Sequence, residues 1–189
     1  LEACIAISEI FRVSDVKFIQ DTITFLDPIS KSATGSSGDS YRADYIVLAL
    51  GSETAYFDVP GLKEFSFGFK SITEALRLKA HLHELFETCK ISDTDQEEDI
   101  CRMHLVVVGG GASGVELAGE LANYMKKLAR IHKVSESLIT IDLIEAGASI
   151  LPAFPQKVQK KIAKRLHELG VNIFTNRPMI KETVEEVVT

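Results

Sequence analysis

The 189-residue chain is 46% hydrophobic and 25% charged, a composition that supports at least one substantial core and excludes wholesale disorder. Its formal charge of −6, with basic residues scattered or on helix faces, argues against a nucleic-acid partner. No apolar stretch is long enough to cross a bilayer and no basic-then-apolar leader opens the chain, so the expected compartment is the cytoplasm.

In chain order, Val16–Leu26 is rich in β-branched and aromatic residues, and Gly35-Ser36-Ser37-Gly38 offers a turn before Tyr41, which together predict a β-hairpin. Tyr45-Ile46-Val47-Leu48-Ala49-Leu50 is a continuous apolar run of the kind buried on both faces of a sheet, and Gly51 stops it. Pro60-Gly61 marks a turn and a candidate domain boundary. Ser71-Ile72-Thr73-Glu74 has the spacing of a capping box, and Leu78, Leu82, Leu85 and Phe86 follow at helical intervals, predicting a helix from about Ile72 to Glu87. Between Asp93 and Asp99 five of seven residues are acidic, which describes a solvated loop without the glycine and ligand spacing of a calcium site. Cys4, Cys89 and Cys101 lie far apart with no C-x-x-C pair, predicting three small hydrophobes in a reducing compartment rather than a metal knuckle or a redox disulfide. No metal site is expected.

From His104 the pattern turns to β, α, β, α, β. His104–Val108, Ile139–Ile144 and Val171–Phe174 read as strands. Leu117, Leu121, Met125 and Leu128 mark one face of a long helix, and Val158, Ile162, Leu166 and Leu169 mark a second, stopped by Gly170. Strands alternating with amphipathic helices predict a Rossmann-like α/β fold, a parallel sheet with flanking helices.

At the first strand-to-helix junction stands Gly109-Gly110-Gly111-Ala112-Ser113-Gly114, a G-x-G-x-x-G match. Its context gives it value: Gly109 permits a tight turn, Gly111 lets backbone approach a pyrophosphate, and Gly114 lets helix and strand pack closely. The amides at the helix N-terminus, bared of side chains, would then hold the phosphates. The fingerprint also asks for an acid ending the second strand, and Glu145 supplies it, beside Ala146. Asp142 shares its strand face with Ile144 instead, so Glu145 is preferred. A 2′-phosphate beside Glu145 would meet a like charge, and residues 146–149 bring no Arg or Lys, so NADH is expected over NADPH.

Residues 44–54, Val59-Pro60-Gly61-Leu62, Phe69-Lys70-Ser71, 111–121, and 144–147 through Ile150-Leu151-Pro152-Ala153-Phe154-Pro155 resemble the type II NADH:quinone oxidoreductases, members of the two-dinucleotide-binding flavoproteins. The resemblance runs from about Lys17 onward. It implies a partial FAD-binding domain over 1–61, with Leu50 and Gly51 passing close to the flavin, and an NADH-binding domain over 62–189, cut short at its C-terminus. It further implies FAD and NADH as cofactors, a quinone as acceptor in the full-length protein, and a peripheral position on the inner face of a membrane through a segment outside this chain. A homodimer is compatible with it. By the same resemblance Glu116 lies near the nicotinamide and orients it; the plain alternative is a first-turn acid complementing the helix dipole. Leu1 in place of Met, and an apolar-acidic run still in progress at Thr189, read as a piece of a longer protein.

Two other readings compete. A flavin-dependent disulfide reductase or NADH oxidase would share the same nucleotide fold, and the long stretch from Val115 to Thr140 favours the dehydrogenase over both. A non-catalytic NADH-binding module would show nucleotide affinity and no turnover.

Overall fold

The computed structural model describes residues 5–12, 15–89 and 102–189, and the chain divides into two compact units, Leu1–Gly51 and Ser52–Thr189. The acidic run 93–99 and two of the three cysteines lie outside the described residues.

The first unit holds a short helix, α1 (Ile7–Ile10), and a three-stranded antiparallel sheet in the order β1 (Ile23–Asp27), β2 (Ser32–Gly35), β3 (Ser40–Arg42). The Gly35–Gly38 turn is the expected one: Gly38 N–H donates to Gly35 O at 3.0 Å, and Gly38 takes a φ of 87° that L side chains disfavour. Asp21 ties the hairpin together, because its carboxylate accepts from Thr22 N at 2.7 Å, Ser37 Oγ at 2.6 Å, Ser36 Oγ at 3.1 Å and Tyr41 Oη at 2.8 Å. Those donors, the Ser37 hydroxyl foremost, hold the Asp21 carboxyl well below the usual carboxylate range. Strand structure starts at Ile23, later than the expected Val16.

The apolar run 45–50 departs from expectation. It forms no strand, and Tyr45, Val47 and Leu50 are 86%, 86% and 88% exposed. Among the described residues no strand pairs with it, and an extended segment without ladder partners has no reason to hold strand geometry.

In the second unit α2 (Leu62–Phe65) precedes α3 (Ile72–Cys89), which begins at the expected capping box: Glu74 Oε2 accepts from Lys70 N and Ser71 N at 2.8 Å, and Glu74 N donates back to Ser71 Oγ. Those bonds, the Lys70 amide first, hold the Glu74 carboxyl below its ordinary value. Cys89, the last residue of α3, packs against the core as expected of a small hydrophobe but is also disulfide-bonded, which corrects the expectation that it stands as a free thiol.

The parallel sheet runs β4 (Met103–Val108), β5 (Ile139–Ile144), β6 (Val171–Phe174), with β5 in the middle. The connections are α4 (Ala112–His132), followed by a 3₁₀ turn at Glu136–Leu138, and α5 (Gln156–Leu169). Gly170 ends α5 with a φ of 91°, as the sequence predicts for a C′ glycine. A two-stranded hairpin, β7 (Lys181–Glu182) and β8 (Val187–Val188), completes the unit.

Alternation along the strands sends Met103, Val107, Ile141, Leu143 and Val171 into one core with Leu121, Met125, Leu128 and Ala129 of α4, Leu82 and Phe86 of α3, and Leu166 of α5. On the other face His104 Nε2 lies 2.7 Å from Asp142 Oδ2, and Asn172 Nδ2 donates to Asp142 Oδ1 at 2.8 Å, a polar rung across all three strands.

Candidate dinucleotide site

The strand-to-helix turn is assembled from glycines with different tasks. Gly109 leaves β4 with a φ of 106° and donates its N–H to Ile144 O at 2.8 Å, which bends the chain over the end of β5. A Cβ on Gly114 would lie 1.9 Å from Gly109 O, so the first turn of α4 sits directly on the turn backbone and admits no side chain. Gly111 is the contrast: its backbone is extended, with a φ of −70° and a ψ of −179°, and a Cβ there would meet nothing within 4 Å. It caps α4 without a side chain, and among the described residues no acceptor takes the N–H of Gly111, Ala112, Ser113 or Gly114. Those four donors are the unsatisfied amides every helix start presents. Ala112 and Ser113 are exposed beside them, and α4 has no acidic residue in its first turn to compete for an anion.

Glu145, just beyond β5, reaches the same turn. Its Oε2 accepts from Gly110 N and its Oε1 from Gly147 N, each at 2.6 Å. One amide expected to stand bare, that of Gly110, is therefore engaged by the acid itself. The backbone of Glu145 is fixed from the other side as well: its N–H donates to Phe174 O at 2.8 Å, and its carbonyl accepts from Arg177 N at 3.0 Å. Asn176 N donates to Gly147 O at 2.8 Å, and Leu151 N donates to Gly110 O at 2.7 Å. The glycine turn, the 145–151 loop and the exit from β6 thus form one hydrogen-bonded rim at the C-terminal edge of the sheet, the edge where open α/β sheets bind ligands. Ala146 is exposed on that rim. Asp142 is three residues from Glu145 in sequence but is committed to His104 and Asn172 on the sheet face.

The pyridine nucleotide-disulphide oxidoreductase family matches residues 7–188. The chain belongs to this family. Among curated relatives it is 31% identical over 158 residues to the type II NADH:quinone oxidoreductase of Haemophilus influenzae, covering 77% of the chain and 36% of that protein. Identity is 26% over 174 residues to the same-named protein of Staphylococcus haemolyticus, covering 92% and 42%. The external alternative NAD(P)H-ubiquinone oxidoreductase B1 of Solanum tuberosum is 27% identical over 175 residues, covering 87% and 30%. The chain therefore spans about a third of the length of these relatives. Among solved structures it is similar to NDH2 of Plasmodium falciparum in complex with NADH, with a TM-score of 0.69 at 27% identity over 88% of this chain and 35% of that one. The α/β fold with a parallel sheet and flanking helices is that of the pyridine nucleotide-disulphide oxidoreductases.

Glu116 is exposed in the second turn of α4, two residues past the last unpartnered amide, so the first-turn dipole role does not apply to it. Leu50 and Gly51 end the first unit; Leu50 is exposed, and Gly51 has a φ of 72° with nothing within 4 Å of a Cβ. Sequence reasoning missed the contributions of Gly147, Leu151, Asn176 and Arg177. The third strand of a parallel βαβαβ unit must exit at the same edge as the first two, so the residues after Phe174 could have been placed at the rim from topology alone. No helix among the described residues is long and apolar enough to cross a membrane.

Proposed function

We propose that the chain is part of an FAD-dependent NADH dehydrogenase that passes a hydride from NADH to flavin and then electrons to a quinone. The observation that carries this reading is the opening at Gly111, where a missing side chain leaves room over four unpartnered amides at a helix N-terminus. A dinucleotide pyrophosphate suits that place in charge and in reach. Support comes from the similarity to a protein solved with NADH bound and to relatives named NADH:quinone oxidoreductases.

In this reading Gly111, Ala112, Ser113 and Gly114 offer their amides to the phosphates. Glu145 exchanges its hold on Gly110 for the adenosine ribose hydroxyls, freeing one more donor for the pyrophosphate. Ala146 leaves space beside the ribose, and Glu116 orients the nicotinamide. A bound flavin supplies the two-electron acceptor. To the flavin side we assign Leu50 and Gly51; the positive φ of Gly51 and the open space at its Cβ position support close approach of a ligand there. The functional division we assign is a flavin-side stretch over 1–61 and an NADH-binding stretch over 62–189. Membrane attachment on the inner face, the quinone contact and any homodimer belong to the full-length protein.

A second reading, an NADH-binding module without turnover, is favoured for the isolated chain by the uncovered 45–50 run. The test is to purify the chain, inspect it for yellow flavin absorbance, and titrate NADH calorimetrically. The expected result is NADH binding with little or no flavin retained, and NADH oxidation coupled to quinone only in the full-length protein. A chain that binds no NADH contradicts both readings.

A further inference from the structure

Glu145 alone would make the ribose end of the site hostile to a second phosphate, and nothing in 146–149 offsets it. The structure adds a cation from elsewhere. After β6 the chain reverses through Asn176, a residue type that tolerates its φ of 55°, and returns so that Arg177 N–H donates to Glu145 O at 3.0 Å. Pro178 follows, which biases Arg177 toward extended backbone, and the Asn176–Gly147 bond pins the same reversal to the acid-bearing turn. Arg177 is exposed, and among the described residues its guanidinium has no ion pair or hydrogen bond. The Glu145 carboxylate, by contrast, has both oxygens engaged by amides, which offset its charge at the rim.

We propose that Arg177 is a specificity-determining residue that lets the site accept NADPH as well as NADH, its guanidinium pairing with the 2′-phosphate beside Glu145. The proposal rests on the dinucleotide reading above and names a discrimination that reading leaves to Glu145 alone. A guanidinium presents paired donors that match a phosphate, whereas the 2′-hydroxyl of NADH gives it nothing comparable to hold. Arg177 should therefore bear on one nucleotide and not on the other.

The test is calorimetric titration of NADH and NADPH into the 189-residue chain, its Arg177→Ala variant and its Arg177→Lys variant, each checked by thermal melting. The expected result is that Arg177→Ala weakens NADPH by about tenfold or more while NADH changes by less than about twofold, as loss of one charge-assisted pair predicts. Arg177→Lys should recover part of the NADPH affinity, and that affinity should fall as salt rises. If the wild-type chain binds NADH but Arg177→Ala leaves NADPH unchanged, or lowers both nucleotides together, the role of Arg177 is overturned while the dinucleotide reading stands. If the wild-type chain binds neither nucleotide, both fall.

Discussion

Two runs with strand character, Ile139–Ile144, which alternates through Thr140 and Asp142, and the wholly apolar Tyr45–Leu50, end in opposite states. The first is β5, bonded to a parallel neighbour on each side, with Leu143 fully buried against the α4 side of the core. The second has no ladder partner among the described residues and leaves Leu50 88% exposed. A run of Val, Ile and Leu states a demand for burial; only other elements at the right distance can meet it, and β4, β6 and α4 do so for β5.

The sharpest way to break this comparison is to truncate each run. Leu143→Ala removes a side chain with no exposure and should cost about 2–5 kcal/mol, read from denaturant melts. A loss under about 1 kcal/mol would mean that β5 is not the centre of the core. Gly114→Ala comes next, since even a methyl group meets the Gly109 carbonyl oxygen; about 1–3 kcal/mol of destabilisation is expected, with NADH affinity falling alongside.

Asp21→Asn tests the small sheet of the first unit through its pH dependence. Because the folded-state carboxyl is depressed below the ordinary range, its contribution is complete at neutral pH and is lost only as the pH falls through that depressed value. Hydrogen exchange on β1–β3 should show weaker protection in Asp21→Asn at neutral pH, with the gap to wild type closing only in strong acid. A gap that stayed the same as the pH fell would show Asp21 to be unperturbed. Leu50→Ser should change stability least, within about 0.5 kcal/mol, because the side chain is already in water.

Much of the second unit is legible in its sequence. β5 and β6 have the predicted ends, β4 begins one residue early at Met103, and the Ser71–Glu74 box and Gly170 cap their helices as read. Local chemistry decides these features: a hydroxyl and a carboxylate at fixed spacing, or a glycine where φ must be positive. The roles of Gly109 and Gly114 were legible for the same reason. What could not be read was pairing across sequence distance. Arg177 lies 32 positions beyond Glu145 and comes to it through the exit of β6, and the occupation of the Gly110 amide by Glu145 follows from a side-chain conformation, not from composition.

Gly111 offers the most direct test, because its side-chain position is vacant in the protein and, on this account, needed by the ligand. NADH should be titrated into the wild-type chain and into Gly111→Val, with a thermal melt of each. The account predicts binding by the wild type, at least about tenfold weaker binding by the variant, and matching melting temperatures. A variant that melts with the wild type and binds NADH equally well would show that the pyrophosphate does not lie over these amides.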